Sequence, residues 1–196
     1  MKEKPKENFF IHSTAVADEK VKIGDNTKIW HFSHIQKGAI IGKNCILGQN
    51  VNVARNVIIG NNVKIQNNVS IYEGVELEDY VFCGPSMVFT NIIYPRAEFP
   101  QNNSKFYKKT LIKKFATLGA NCTILSKTTV GRYAMIGAGS VILKDVPDFA
   151  LIVGNPGRQI GWVDEKGHKI KFDQNGKSTC SRFRLKNNHV TMIKSF

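Results

Sequence analysis

The chain has 196 residues and carries 28 Lys and Arg against 15 Asp and Glu, a net charge of +13. That excess lies in solvent-facing corners and in the tail, with no basic cluster interleaved with aromatics, so it argues against nucleic acid and suits anionic small molecules. The opening MKEKPKENFF is too polar for a signal peptide, and no apolar run approaches the roughly twenty residues of a membrane span; a cytoplasmic protein without a membrane span is expected.

After an N-terminal arm over 1–10, large aliphatic residues recur at every sixth position, from Ile11 through Ala17, Ile23, Ile29, Ile35 and Ile41 to Leu77. A smaller residue follows each after four positions, from Ala15 and Val21 to Val81. A six-residue cycle fits neither the 3.6-residue helix period nor a plain alternation of two; it fits short strands separated by corners. The residue after the aliphatic position is Gly at 24, 42 and 60, so three hexads make one turn of a coil. Asn26, Asn44, Asn50, Asn56, Asn62, Asn68, Gly38 and Gly74 share the corner phase, where left-handed backbone angles are needed. A β-sandwich of short strands would show irregular turns and no such phase lock.

The pattern holds over 11–83, fades, and restarts as Ile112, Leu118, Ile124, Val130, Ile136 and Ile142, giving coils over 112–146. Residues 84–111 are expected to leave the coil as one long loop, and loops of that length in compact domains tend to be functional. Cys45, Cys83 and Cys122 fall at inward positions and read as small buried hydrophobes in a reducing compartment; Cys180 stands alone in the tail. Residues 147–196 form a C-terminal extension whose HKIKF and RFRL segments, separated by QNGK, suggest a hairpin-like cap on an exposed coil end.

Several stretches then carry a resemblance: IWHFSHI (29–35), VKIQNNVSIYEGV (63–75), VFCGPSMVFTN (81–91), YPRAEF (94–99), LGANCTI (118–124) and IGAGSVILKDVPDFALIVGNPGRQIGW (136–162). The chain resembles the left-handed β-helix acyltransferases that N-acetylate 3-amino sugars on nucleoside diphosphates, acting on UDP-linked amino glucuronates or dTDP-linked aminodeoxyhexoses. The resemblance implies an all-β left-handed parallel β-helix, acetyl-coenzyme A as donor, a nucleotide-linked amino sugar as acceptor, a homotrimer with sites between subunits, and a role in surface polysaccharide (O-antigen) synthesis.

By the same resemblance the Asn of FTN, Asn91, contacts the thioester and the sugar, and Thr90, Tyr72 and Arg96 belong with the acceptor. If the hexad phase persists past Cys83 to Phe89, Asn91 lies at a corner above Glu73 and Arg55, each eighteen residues earlier. That supplies a carboxylate for an ammonium and a cation for a phosphate. An amine with a pKa of about 7.7 to 8.0 is already a tenth neutral near pH 7, so orientation serves where a hydroxyl would need a base. No His occurs between Gly84 and Leu111, which favours an amine acceptor.

His34 faces outward over Asn52 and Ser70, either as a proton acceptor in a cleft between subunits or as trimer packing beside Trp30. An O-acetyltransferase using His34 as base is the rival enzyme; a non-catalytic hexapeptide scaffold is the rival class. Three converging His would be needed for zinc, and His12, His168 and His189 are scattered, so no metal is expected. The resemblance places the donor along the later coils, with Gly119, Ala120, Gly137, Ala138, Lys144, Pro156 and Arg158 as its candidates. Two departures stand out: ILSKTTVG where similar enzymes have a CG-containing segment, and Gly157 where Ala is common.

Overall fold

The structure, a computed structural model, describes residues 8–193, so most of the expected N-terminal arm lies outside the described residues. Strands of mostly two residues stack in parallel into three sheets of nine, seven and six strands, which form the faces of a solenoid. Face one runs from Phe10–Ile11 to Ala150–Val153 and ends on the antiparallel Arg158–Trp162. Face two runs from Val16–Ala17 to Val141–Ile142, and face three from Lys22–Ile23 to Thr129–Val130.

The register follows from the repeat. Ile11 pairs with Ile29, Ile35 with Val53 and Ile41 with Ile59, always eighteen residues on. In a two-residue strand one side chain points out and the next points in. Lys64 is exposed while Ile65 is fully buried, and the inward column of Ile29, Leu47, Cys83, Leu118 and Ile136 is buried throughout. Each buried aliphatic contributes roughly 1.5–3 kcal/mol. The column weakens at the first coil, where Ile11 and Ile23 are only half-buried and Ala17 is exposed, because among the described residues no coil covers them from below.

Corner residues take the left-handed conformation, with φ of 56° to 61° at Asn26, Asn44, Asn50, Asn56, Asn62 and Asn68. On the edge between faces three and one, aromatics take over the same role. Tyr80, Phe115, Tyr133 and Phe149 sit at φ 60°, 65°, 57° and 63° and stack at 5.0, 4.5 and 5.0 Å. A side chain in this conformation costs about 1–2 kcal/mol, and each aromatic pair returns about 0.5–1.5 kcal/mol.

Across the excursion the pairing offset rises from 18 to 35 residues, as in Leu77 with Ile112 and Phe89 with Ile124, so seventeen residues are inserted. The coil does not end at Cys83. Val88–Phe89 continues face two, and the chain departs after Thr90 and rejoins at Thr110–Ile112. The large Met87, 1% exposed at a position where the repeat elsewhere has a small side chain, hides this coil in the sequence.

The cap also departs from expectation. HKIKF does not pair with RFRL as a hairpin; residues 163–178 make only isolated bridges. The regular hairpin joins Phe183–Lys186 to His189–Met192. Asn187 and Asn188, at φ 48° and 58°, supply the two successive left-handed residues of its turn. Phe183 is fully buried and meets Phe149 edge-on at 5.7 Å, so the hairpin closes the aromatic stack. Among the described residues no helix is long and apolar enough to cross a membrane.

Candidate active site

The edge between faces two and three carries one outward residue per coil: Lys37, Arg55, Glu73, Asn91, Ser126 and Lys144 follow the aligned strands of face two. With neighbouring coils about 4.8 Å apart, a ligand lying along this edge meets two cations, a carboxylate, an amide, a hydroxyl and then a further cation in that order.

A cleft of about 480 Å³ opens on the middle of this column, lined by Arg55, Tyr72, Glu73 and Asn91 together with Gln36, Asn52, Asn103, Ser104 and Tyr107. Four candidates from the sequence therefore converge. The others come from face two and from the inserted loop. Gln36 and Asn52 hold each other through a 3.0 Å hydrogen bond, while Asn103, Ser104 and Tyr107 come from the inserted loop.

The loop is seated on the Glu73–Gly74 corner. The Ser104 hydroxyl donates to Glu73 Oε1 at 2.8 Å, Lys108 N–H donates to the Asn91 carbonyl at 2.9 Å, and Thr110 N–H to the Gly74 carbonyl at 2.9 Å. Gly74 is required here, since at φ +96° a Cβ would lie 2.9 Å from the Lys108 carbonyl oxygen. Asn91 Nδ2 donates to the Glu73 carbonyl at 3.3 Å, which fixes the amide with its oxygen directed away from the corner. Glu73 Oε2 and the Arg55 guanidinium make no hydrogen bond or ion pair among the described residues.

Two acceptor candidates lie elsewhere. Thr90 does not line the cleft; its hydroxyl accepts the Ser126 N–H at 2.9 Å and ties the coil together. Arg96 is exposed on the loop and folds back onto the Pro95 carbonyl at 3.0 Å.

His34 is separated from Asn91 by three coil steps, roughly 14 Å, so within one chain the two do not act on one atom. Its Nε2 lies 2.9 Å from Asp18 Oδ1, a partner the sequence reading missed although Asp18 falls one coil below. The His34 hydrogen bond is the main cause that holds the Asp18 carboxyl below its ordinary range. Asp18, Lys37, Arg55 and Gln36 border a second hollow of about 410 Å³ that adjoins the cleft. Lys37 pairs with Glu19. No metal-binding cluster of His, Cys, Asp or Glu occurs among the described residues.

The donor candidates divide between two edges. Gly119, Ala120, Gly137 and Ala138 stack on the edge between faces one and two, where a Cβ at Gly119 would come within 2.6 Å of the Ala138 nitrogen. Close coil stacking alone accounts for these two glycines. Lys144 and Arg158 meet instead in a cavity of about 420 Å³ at the end of the Asn91 edge. Pro156, exposed and following a cis peptide bond, belongs to the segment that returns over Val141, where Gly157 N–H donates at 2.8 Å.

A parallel solenoid of six-residue strands and corners, carrying a polar cleft along one edge, has the architecture of the hexapeptide-repeat transferases. The chain matches the bacterial transferase hexapeptide pattern over residues 20–55 and 109–144, and the hexapeptide repeat of succinyl-transferase over 38–73. It is 44% identical over 169 residues to the dTDP-3-amino-3,6-dideoxy-alpha-D-galactopyranose 3-N-acetyltransferase of Aneurinibacillus thermoaerophilus, covering 86% of each chain. Among solved structures it is similar to a hexapeptide transferase family protein of Anaplasma phagocytophilum (TM-score 0.55, 17% identity, 81% of this chain and 85% of that one). It is also similar to a hexapeptide-repeat acetyltransferase of Vibrio cholerae complexed with acetyl-coenzyme A (TM-score 0.52, 23% identity, 61% and 68%). These two likenesses are of fold. The chain belongs to the hexapeptide-repeat amino-sugar N-acetyltransferases, a family of acyltransferases.

Proposed function

We propose that this chain transfers the acetyl group of acetyl-coenzyme A to the 3-amino group of a nucleoside-diphosphate-linked amino sugar, in the cytoplasm, as a step in surface polysaccharide (O-antigen) synthesis. The observation that carries this reading is the convergence of Arg55, Glu73 and Asn91, one coil apart, on a single cleft. Arg55 suits the diphosphate, Glu73 the ammonium, and Asn91 the thioester. The relative's substrate makes a dTDP-linked 3-amino-3,6-dideoxyhexose the first acceptor to try.

The chemistry needs little from the protein beyond placement. Glu73 binds the ammonium, and the fraction that has lost a proton attacks the thioester carbonyl carbon. The carbon–sulfur bond breaks, the second amine proton passes to the departing thiolate directly or through water, and the amide and free coenzyme A leave. Asn91 orients the reacting groups and polarises the thioester rather than removing a proton.

The division of donor candidates between two edges supports a homotrimer. A threefold arrangement about an axis parallel to the coils sets the Asn91–Lys144 edge of one chain against the Gly119–Gly137 edge of its neighbour, so that one donor touches both sets.

The test is turnover of acetyl-coenzyme A with a panel of UDP- and dTDP-linked 3-amino sugars, followed by thiol release and product mass. One amino sugar is expected to be acetylated, its 3-hydroxy analogue to be inert, and Asn91→Ala to lower kcat/KM by about 10²–10³-fold. The His34–Asp18 pair supports the O-acetyltransferase alternative, because the carboxylate orients an imidazole that faces solvent. Acetylation of the hydroxyl analogue, abolished by His34→Ala but not by Asn91→Ala, would establish that alternative instead.

A further inference from the structure

The cavity at the end of the Asn91 edge has three walls, and one of them was not anticipated. The last coil supplies Ile142, Lys144 and Pro147, the returning segment supplies Gly157 and Arg158, and the turn of the C-terminal hairpin supplies Asn188. We propose that Asn188 is a donor-specificity residue, and that the hairpin, besides capping the coil, presents its amide to the adenine of coenzyme A. The proposal rests on acetyl-coenzyme A being the donor.

The chemistry of the walls matches a phosphorylated adenosine. The floor is apolar, formed by Ile142 and Ile152, and the returning segment packs closely beside it at Gly157, where a Cβ would stand 2.9 Å from Ile142 Cδ1 and 3.0 Å from Ile152 Cγ2. Lys144 and Arg158 form no ion pair among the described residues, which leaves both cations to phosphate. The acidic Asp145 is already engaged, since its Oδ1 accepts the Thr129 N–H at 2.7 Å. An Asn amide pairs with adenine through its N6 donor and N7 acceptor, and the Asn188 side chain has no other hydrogen bond among the described residues. The cavity lies two coils, roughly 10 Å, beyond Asn91, within reach of an extended pantetheine arm.

Asn188 is also what a two-residue hairpin turn favours, so the turn alone could explain its identity. The hairpin's placement needs a separate cause, and Phe183 provides it. That residue is fully buried against the aromatic stack, with Val190 5% exposed on the paired strand, so the hairpin is anchored and its turn is held over the cavity before any ligand arrives.

Asn188→Gly separates the two roles, because glycine satisfies the turn and removes the amide. Steady-state kinetics with acetyl-coenzyme A and with acetyl-pantetheine, which lacks the nucleotide, should be paired with calorimetric titration of adenosine 3′,5′-bisphosphate. The expected result is a roughly tenfold rise in KM for acetyl-coenzyme A and in Kd for the bisphosphate, the size of one bidentate amide–adenine contact. No rise is expected in KM for acetyl-pantetheine or for the acceptor. Unchanged affinity for both adenine ligands, or an equal loss with acetyl-pantetheine, would overturn the assignment of Asn188. Failure of the wild-type protein to bind acetyl-coenzyme A at all would overturn the donor reading itself, together with this inference.

Discussion

Gly74→Ala probes how the inserted loop is held against the repeat. The position has φ +96°, and a Cβ would approach the Lys108 carbonyl oxygen to 2.9 Å where ordinary contact begins near 3.4 Å, so the returning chain must retreat by about 0.5 Å. The left-handed backbone adds about 1–2 kcal/mol to the cost of folding. For a protein of this size each kcal/mol corresponds to about 2–4 °C, so the melting temperature should fall by roughly 2–8 °C. Lys108 also donates to the Asn91 carbonyl, and the displacement therefore reaches the residue proposed to orient the thioester. A misplacement of 1 Å costs on the order of 10²-fold in rate, which makes a tenfold loss of kcat reasonable for half that distance. Gly38→Ala is the control: it occupies the same corner phase at φ +77°, two coils or roughly 10 Å from Gly74, and its Cβ would meet the Asn56 side chain at 2.6 Å and no loop residue. Thermal melting and thiol release under saturating donor should show similar stability losses in the two variants but a kcat loss only in Gly74→Ala. Equal kcat losses would refute the claim that loop seating at this corner positions Asn91.

The core and the thiols offer two more checks. The inward hydroxyls of Thr27, Ser33 and Ser140 are satisfied, as when Thr27 donates to the Gly42 carbonyl at 2.8 Å, but the buried Thr110 hydroxyl has no partner among the described residues. Thr110→Val should therefore stabilise the fold by about 1 kcal/mol in urea denaturation, and a destabilisation would show that the hydroxyl finds a partner in solution. Burial pushes the Cys122 thiol up to about 12 and the Cys83 thiol higher still, and Cys45 is also raised by burial. Cys180 is lowered instead, first by the Ser178 hydrogen bond and then by the Arg182 backbone. Because the thiolate is the reactive form, a colorimetric thiol reagent near pH 8 should titrate one cysteine in the native protein and four after denaturation. A second fast thiol in the native protein would contradict the inward placement of Cys45, Cys83 or Cys122.

The repeat made most of the architecture legible, because a period of six can be satisfied only by strands and corners in fixed alternation. Its failures occur where a residue met the geometric need through unfamiliar chemistry. Met87 fills an inward position usually held by a small residue, so the coil through Phe89 looked like loop. Tyr80, Phe115, Tyr133 and Phe149 occupy corners that Asn and Gly hold elsewhere, and only the stack they form explains why the strain is tolerated. The hairpin partner of RFRL was misassigned because the QNGK segment competed with Asn187–Asn188. In the structure Asp173 closes the former as a local turn, accepting the Asn175 and Lys177 N–H groups at 2.9 and 2.8 Å.

The same distinction governs the site. Arg55, Glu73 and Asn91 were accessible from sequence because a spacing of eighteen places residues in one column whatever their identity. Ser104 and Tyr107 were not, since the inserted loop has no period to fix their direction. Glu73 joins the two: its position comes from the coil, while its Oε1 is held by Ser104 from the loop. A column of single residues on a bare solenoid edge would face open solvent, where one carboxylate binds an ammonium weakly. The loop gives that column a second wall, and the arrangement of Glu73 between coil and loop supports the reading that the insertion is what turns a repeated edge into an acceptor cleft.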